Sequence, residues 1–285
     1  IEQPSLCLRR RAAPRRSVAG SINLVKVMGE YGCKRMVFSS SATVYGDARE
    51  SPIGEDHALS ATSPYGRTKL WVEEMLRDTC AADSEWGVVV LRYFNPVGAH
   101  PSGMLGEDPK GVPNNLMPYI TKVATGKQPV LKVFGDDYPT KDGTGVRDYL
   151  HIMDLSRGHV AALDMLQEGF TGSDVFNLGT GNGISVLEMV EAFREASRHP
   201  VPYEIHGRRK GDVAVCFADA SKAAARLGWV AKHSLEDMCH DLRRFTQCNP
   251  DGYEGGAEPE ESAEPAQHGV AQPTVQLKST KAKAL

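Results

Sequence analysis

The sequence has few of the features that mark a membrane protein or a disulfide-stabilised domain. No apolar run approaches the ~20 residues that span a bilayer, and the mean hydropathy is -0.35. The 6 cysteines form no C-x-x-C pair and show no zinc-finger spacing. We therefore expect neither a disulfide framework nor a metal site. Free thiols in a reducing cytosol are the expected state.

A large excess of either charge is also missing. Lys and Arg number 33 against 36 Asp and Glu, which gives a formal net charge of -3. Because binding to nucleic acid needs clustered basic charge, this balance argues against such a partner. The composition, with 41% hydrophobic and 24% charged residues, is that of an ordinary globular protein. At 285 residues the chain has room for one large α/β domain or two smaller ones.

Helical and strand patterns alternate along the chain. Apolar spacing predicts a helix over residues 18–31, and the apolar run 36–38 predicts a buried strand. A second helix opens at Pro64, and Val88–Leu91 predicts another buried strand. This alternation predicts an α/β fold whose parallel sheet is covered on both faces. From about residue 96 the pattern predicts a smaller mixed α/β lobe, with helices at 114–125, 153–168, 185–198, 219–227 and 234–246 and strands at 131–134, 146–151 and 174–178.

The two ends differ from the middle in composition. Residues 1–17 carry five arginines against one acid. They predict either a basic transit leader or a stretch unrelated to the protein, whose true start is absent. Residues 249–285 are rich in Gly, Pro, Glu, Gln and Ala. We expect this tail to be disordered, because it buries too little surface to offset its ordering entropy.

A tyrosine and a lysine four residues apart are the first candidates for chemistry. Tyr65 and Lys69 share one face of the helix that Pro64 opens. A neighbouring ammonium lowers the pKa of a phenol, which could then take a proton from a sugar hydroxyl. A solvated helix face has the same spacing and stays open as an alternative. The serine run Ser39–Ser41 follows a predicted strand, at the rim where ligands bind in open α/β sheets.

Several longer runs resemble a known family. S-S-S-A-T-V-Y-G at 39–46, S-P-Y-G-R-T-K at 63–69 and L-R-Y-F-N-P at 91–96 are similar to the extended short-chain dehydrogenase/reductases. The runs at 106–119 and 134–149, with N-L-G-T-G at 177–181 and R-R-K-G-D at 208–212, narrow the resemblance to the UDP-glucose 4-epimerases. The resemblance covers roughly residues 18–253. It implies a Rossmann-like parallel sheet, N-terminally incomplete, with a smaller mixed α/β lobe that binds the substrate.

The resemblance also implies roles for individual residues. Tyr65 would be the catalytic base, Lys69 would hold the nicotinamide ribose of NAD, and Ser41 would be the hydroxyl partner of both base and substrate. The remaining residues implied to contact the cofactor are Ser39, Ser40, Tyr93 and Phe94. Those implied to contact the UDP-sugar are Asn95, Asn114, Asn115, Leu116, Val133, Phe134, Arg147, Arg209, Asp212 and Cys216. The two arginines suit a pyrophosphate because a guanidinium binds phosphate bidentately.

The implied reaction is reversible, NAD-dependent inversion at C4 of UDP-galactose and UDP-glucose through a 4-keto sugar. A small residue at the position of Cys216 implies that UDP-GlcNAc and UDP-GalNAc are also substrates, although a buried apolar Cys is an equal alternative. Family members pair through helices matched here by 18–31 and 64–82, so we expect a cytosolic homodimer. The implied domains are residues 18–112, with a return over 131–165, for NAD and residues 113–248 mainly for the UDP-sugar.

One part of the family pattern is missing. No G-x-x-G-x-x-G turn and no acidic residue for the adenosine ribose precede Ser39. We therefore expect a fragment or an incomplete gene product, inactive as written through loss of most NAD contacts. Two other functions stay open: a non-catalytic UDP-sugar-binding remnant, and a nucleotide-sugar 4,6-dehydratase or decarboxylase. The dehydratase is disfavoured, because no carboxylate follows Thr43 in the serine run.

Overall fold

The computed structural model describes residues 4–253 except 49, 110, 112, 114 and 210, and side chains from residue 17 onward. The helices are α1 (Pro4–Glu30), α2 (Pro64–Ala82), α3 (Leu116–Ala124), α4 (Ile152–Gln167), α5 (Val186–Ser197), α6 (Ser221–Leu227) and α7 (Leu235–Cys248). The strands are β1 (Arg35–Ser39), β2 (Gly87–Tyr93), β3 (Asn95–Val97), β4 (Leu131–Phe134), β5 (Val146–Arg147), β6 (Tyr149–His151), β7 (Gly172–Leu178), β8 (Ile184–Ser185), β9 (Tyr203–His206) and β10 (Val215–Cys216).

A parallel sheet in the order β1-β2-β7 forms the base of the molecule. Its central strand β2 is buried on both faces, which explains the unbroken apolar run Val88–Leu91 within it. Side chains alternate along it: Val88 and Val90 pack with Leu76 of α2, whereas Val89 and Leu91 pack with the residues of α4. The predicted α/β fold with a parallel sheet covered on both faces is confirmed.

The second lobe is built around a separate apolar core. Helices α3, α5 and α7 surround it, with Met117, Phe193 and Leu242 at its centre. Two short parallel pairs, β3-β6 and β4-β9, and a small sheet in the order β10-β5-β8 complete the lobe. Capping boxes begin α5 and α7, where the side chains of Ser185 and Ser234 accept the N–H groups of Glu188 and Asp237.

The structure corrects several predicted boundaries. The first helix begins at Pro4 rather than at residue 18. Within the predicted return over 131–165, α4 packs on the main sheet, whereas β4 pairs with β9 outside that sheet. The return then continues beyond residue 165 into β7. The strand predicted at 146–151 is interrupted at Asp148, whose carboxylate accepts hydrogen bonds from Thr180, Gly181 and Ala218.

The first five residues of the predicted disordered tail are folded in the structure. The Tyr253 hydroxyl accepts a hydrogen bond from Gly106 N at 2.8 Å, and its ring lies 5.6 Å from that of Phe245. Residues 249–253 are therefore packed against the second lobe, and residues 254–285 lie outside the described residues. In the part of the chain that is described, no helix is both long enough and apolar enough to cross a membrane.

Candidate active site

The serine run leaves the sheet at the carboxyl end of β1. Ser40 N still donates to Leu91 O of β2 at 2.8 Å. Ser41 then caps a short 3-10 helix, Ala42–Val44, where its hydroxyl accepts from Thr43 N at 3.3 Å. The cap fixes the Ser41 side chain at the rim, as predicted for a ligand-binding edge.

Helix α2 brings the two other catalytic candidates to this rim. Its first turn is set by Ser63, whose hydroxyl accepts from Gly66 N at 3.0 Å, and by Pro64 at the first helical position. The Lys69 ammonium donates to the Ser39 carbonyl at 2.8 Å and lies 5.6 Å from the centre of the Tyr65 ring. The Ser41 hydroxyl lies near enough to the Tyr65 phenol to lower its pKa. The structure therefore brings Ser41, Tyr65 and Lys69 together.

The electrostatics of Tyr65 differ from the expectation. Burial raises the pKa of the Tyr65 phenol, the nearby Tyr93 raises it further, and the hydrogen bond from Ser41 offsets only part of the rise. Burial also lowers the pKa of Lys69. The direction is thus opposite to the lowering expected from Lys69, whose ammonium donates to the Ser39 carbonyl.

The four residues implied to contact a cofactor separate into two groups. Ser39 and Tyr93 are partly exposed, and the Ser39 hydroxyl donates to His159 Nε2 at 2.8 Å. Ser40 is fully buried and donates to Glu73, whereas Phe94 is 5% exposed and packs against Val44 and Tyr45. Both side chains face the protein interior, and the implied cofactor contacts of Ser40 and Phe94 stay predictions.

Most of the residues implied to bind the UDP-sugar line one cavity of ≈ 430 Å³ in the second lobe. They are Asn95, Asn115, Leu116, Val133, Phe134, Arg147, Arg209 and Asp212. Asn114 lies outside the described residues. Ser41 is at the rim of the main sheet instead, next to Tyr65.

The charge and shape of the cavity suit a nucleotide. Lys132, Arg147 and Arg209 line it against a single described carboxylate, that of Asp212, so the cavity favours anions. Arg209 Nε donates to Asp212 Oδ2 at 2.9 Å, and its guanidinium lies 4.8 Å from the centre of the Phe134 ring. This stacking holds the guanidinium over an aromatic wall, where a planar base and a phosphate can be bound side by side.

Cys216 lies beside this cavity rather than in its lining. It is on β10 and pairs in register with Arg147 of β5. Its thiol is partly buried, and burial raises its pKa above the ordinary value. The side chain is therefore a neutral, small group at the margin of the anion-binding cavity.

Comparison with known proteins identifies the family. A family model described as GDP-mannose 4,6 dehydratase matches residues 12–242. A UDP-glucose 4-epimerase of Dictyostelium discoideum is 57% identical over 83% of this chain and 69% of the relative. The UDP-glucose 4-epimerase of Bacillus subtilis is 58% identical over 83% of this chain and 70% of that relative. The crystal structure of a UDP-glucose 4-epimerase from Bifidobacterium longum, in complex with NAD+ and UDP, matches with TM-score 0.82 and 49% identity, over 86% of this chain and 73% of that one.

The chain belongs to the UDP-glucose 4-epimerase family. The resemblance inferred from the sequence runs is confirmed. The dehydratase description of the family model refers to the wider group of related enzymes. In this family member the serine run continues as Ala42-Thr43-Val44-Tyr45, without the carboxylate pair that a dehydratase needs for eliminating water.

Sequence reasoning missed several residues of the cavity in this epimerase family member. Tyr119, Lys132, Tyr138 and Tyr149 line it without having been assigned a role. Three of them, Tyr119, Tyr138 and Tyr149, are in the runs that carry the resemblance. Those runs could therefore have indicated their place in the cavity. Tyr138 also lies 4.1 Å below the guanidinium of Arg208, which pairs with Asp137.

Proposed function

We propose that this chain carries the base and the substrate site for NAD-dependent C4 epimerisation of UDP-glucose and UDP-galactose. The observation that supports it is that one fold contains both a candidate proton-transfer group and an anion-binding cavity. The Ser41–Tyr65–Lys69 group stands at the rim of the sheet, and the anion-binding cavity with Arg147 and Arg209 opens in the adjoining lobe. Asn95, on β3 directly after β2, lines that cavity and links the two parts.

The residues at the rim fit the nicotinamide ribose of NAD. A lysine ammonium has three donors, and the Ser39 carbonyl takes one of those of Lys69. The others are left for the hydroxyl groups of a ribose. Tyr65 remains 51% exposed and so is open to both cofactor and substrate. The chemistry supplied by bound NAD is reversible acceptance of hydride from C4 of the sugar.

The chain's own residues bind the nucleotide and move one proton. Arg147 and Arg209 hold the pyrophosphate, with the aromatic wall of Phe134 beside the uracil. The phenolate of Tyr65 removes the proton of the 4-hydroxyl group, and Ser41 shares that proton through the hydrogen bond it makes to Tyr65. Because the anchor holds the UDP part, the 4-keto sugar is free to turn before Tyr65 returns the proton.

The small side chain of Cys216 extends the proposal to N-acetylated sugars. A Cys beside the cavity leaves space that a Tyr would fill, so UDP-GlcNAc and UDP-GalNAc belong to the proposed substrates. The Cys216→Tyr variant should keep turnover of the plain hexoses and lose that of the N-acetylated ones. Unchanged turnover of both sugar classes would refute this part.

We also propose a cytosolic homodimer that forms through α1 and α2. Large apolar side chains are exposed on both helices: Val27 is 49% and Trp71 is 43% exposed. A cavity of ≈ 370 Å³ lies between the helices and is lined by Val18, Pro64 and Trp71. A second copy would cover this surface. Sedimentation should give twice the chain mass, and Trp71→Glu should give a monomer.

Two measurements on the purified chain test the proposal. Calorimetry should show one UDP bound per chain, and NAD should not be retained in stoichiometric amount, because no G-x-x-G-x-x-G turn for the pyrophosphate of NAD precedes Ser39. Joining the chain to the part of the Bacillus subtilis relative that precedes its matched region should yield an epimerase, with UDP-galactose converted to UDP-glucose. A joined protein that binds UDP and NAD but releases a dehydrated keto sugar would overturn the proposal.

A further inference from the structure

A buried ion pair ties the catalytic helix to the sheet. Glu73 of α2 is 1% exposed and Arg92 of β2 is 2% exposed. Arg92 Nη2 donates to Glu73 Oε2 at 2.6 Å, and Arg92 Nε lies 3.1 and 3.2 Å from the two carboxylate oxygens. Neither residue is part of the lining of the nucleotide cavity. The pair is therefore not a substrate contact.

The same carboxylate also holds the serine run. The Ser40 hydroxyl donates to Glu73 Oε1. Ser40 stands between Ser39, whose carbonyl accepts from Lys69, and Ser41, whose hydroxyl lies near the Tyr65 phenol. Glu73 is one helical turn after Lys69 and two turns after Tyr65, so all three face the same side of α2. One buried group thus contacts both segments that supply the catalytic residues.

The guanidinium of Arg92 extends the connection across the sheet. Its Nη1 donates to the Tyr45 hydroxyl at 3.1 Å and to the Glu55 carbonyl at 3.2 Å. The Tyr45 hydroxyl in turn donates to Asn177 Oδ1 of β7 at 2.6 Å. Burial raises the pKa of Tyr45 to about 12, so this phenol stays a donor at neutral pH. The network runs without a break from α2 through β2 to β7.

A buried ion pair is a poor source of net stability, because desolvation opposes the attraction, but it fixes orientation. We propose that Glu73 and Arg92 are positioning residues, which hold α2 against the serine run so that the Tyr65 phenol stays within hydrogen-bonding reach of Ser41. This inference rests on the proposed function of Tyr65 as the base. Its test reads the surroundings of Tyr65 rather than turnover, so the two can fail separately.

The test uses the 285-residue chain with its 9 tyrosines labelled with carbon-13 at Cζ. The resonance of Tyr65 is the one that disappears in Tyr65→Phe, and Ser41→Ala gives its position when the Ser41 hydrogen bond is lost. The double variant E73M/R92M replaces the pair with apolar side chains of similar length. It should move the Tyr65 resonance to the Ser41→Ala position. It should also raise the Tyr65 pKa, because a nearby Ser41 hydroxyl favours the ionised phenol.

Two comparisons separate positioning from a structural role. Glu74 is adjacent on α2 and exposed, so Glu74→Met is the matched control and should leave the Tyr65 resonance in place. UDP affinity should stay within twofold in both proteins. If the double variant does not fold, Glu73→Asp keeps both charges and shortens the link, and should move the resonance in the same direction by less. A folded E73M/R92M or E73D protein with an unmoved Tyr65 resonance would overturn the inference.

Discussion

The backbone of Gly66 on α2 lies close to Thr43, which follows the serine run. A Cβ atom at this position would stand 2.6 Å from the Thr43 carbonyl oxygen, 3.1 Å from its carbon and 3.2 Å from Ala61 Cβ. Ordinary contact begins at 3.4 Å, so Gly66→Ala must open the gap by about 0.8 Å. The atoms in the way are mainly backbone, which cannot turn aside as a side chain can.

This displacement separates the segment that carries Tyr65 from the segment that carries Ser41. A hydrogen bond between hydroxyl groups is effective only over about 2.5–3.0 Å, so an opening of this size takes the two hydroxyl groups out of reach of each other. Overpacking costs about 1–3 kcal/mol, and the higher helix propensity of Ala returns at most ~1 kcal/mol. We expect a net loss of about 1–2 kcal/mol in the free energy of unfolding.

The matched control is Gly20→Ala on α1, where a Cβ would meet nothing within 4 Å. This change should raise the stability by about 0.5–1 kcal/mol, whereas Gly66→Ala should lower Tm by roughly 2–8 °C. In the joined epimerase, Gly66→Ala should reduce turnover about 10²-fold with UDP affinity unchanged. A Gly66→Ala protein with raised Tm and normal turnover would refute the reasoning, since α2 would then not need its close approach to Thr43.

Further predictions concern the nucleotide cavity and the pH dependence of folding. Arg209→Ala should weaken UDP binding by about 10- to 100-fold in calorimetry, as expected for loss of a charge-assisted contact, whereas Arg194→Ala on the exposed face of α5 should not. Burial, and then His233, lower the pKa of His151, against the opposing effect of Asp241 and Asp154. The unfolded chain therefore binds more protons than the folded one below about pH 6.5, and Tm should fall as the pH is lowered through this range. His151→Gln should make Tm depend less steeply on pH in this range. If the dependence is unaltered, groups other than His151 cause it.

The grouping of Ser41, Tyr65 and Lys69 was predictable, because the sequence features that indicate it are local. The spacing of Tyr65 and Lys69 on a helix that begins at Pro64, after a serine run that ends a strand, defines the arrangement found. The nucleotide cavity was accessible only through the resemblance, since its residues come from separate loops and strands. The short strand β9 alternates apolar and polar residues over only four positions, and its side chains are mostly exposed. It forms only because β4 pairs with it, which the sequence pattern does not encode.

The positioning pair escaped prediction for a different reason. Glu73 and Glu74 are neighbours of the same type on one helix, and only the tertiary structure makes the first buried and the second exposed. Arg92 lies within the apolar strand β2, and the sequence pattern alone does not indicate that an arginine at this position is buried. Its partner is 19 residues away. The burial of both charges therefore depends on how α2 packs on the sheet, which is decided by the apolar residues around them.

The raised pKa of Tyr65 bears on how the chemistry is controlled. With a pKa above the ordinary 10.0, fewer than about one phenol in a thousand is ionised at pH 7. An oxidised nicotinamide bound at the rim would add a positive charge there, and a nearby positive charge favours the ionised phenol. Proton removal would then be favoured in the state that can also accept the hydride.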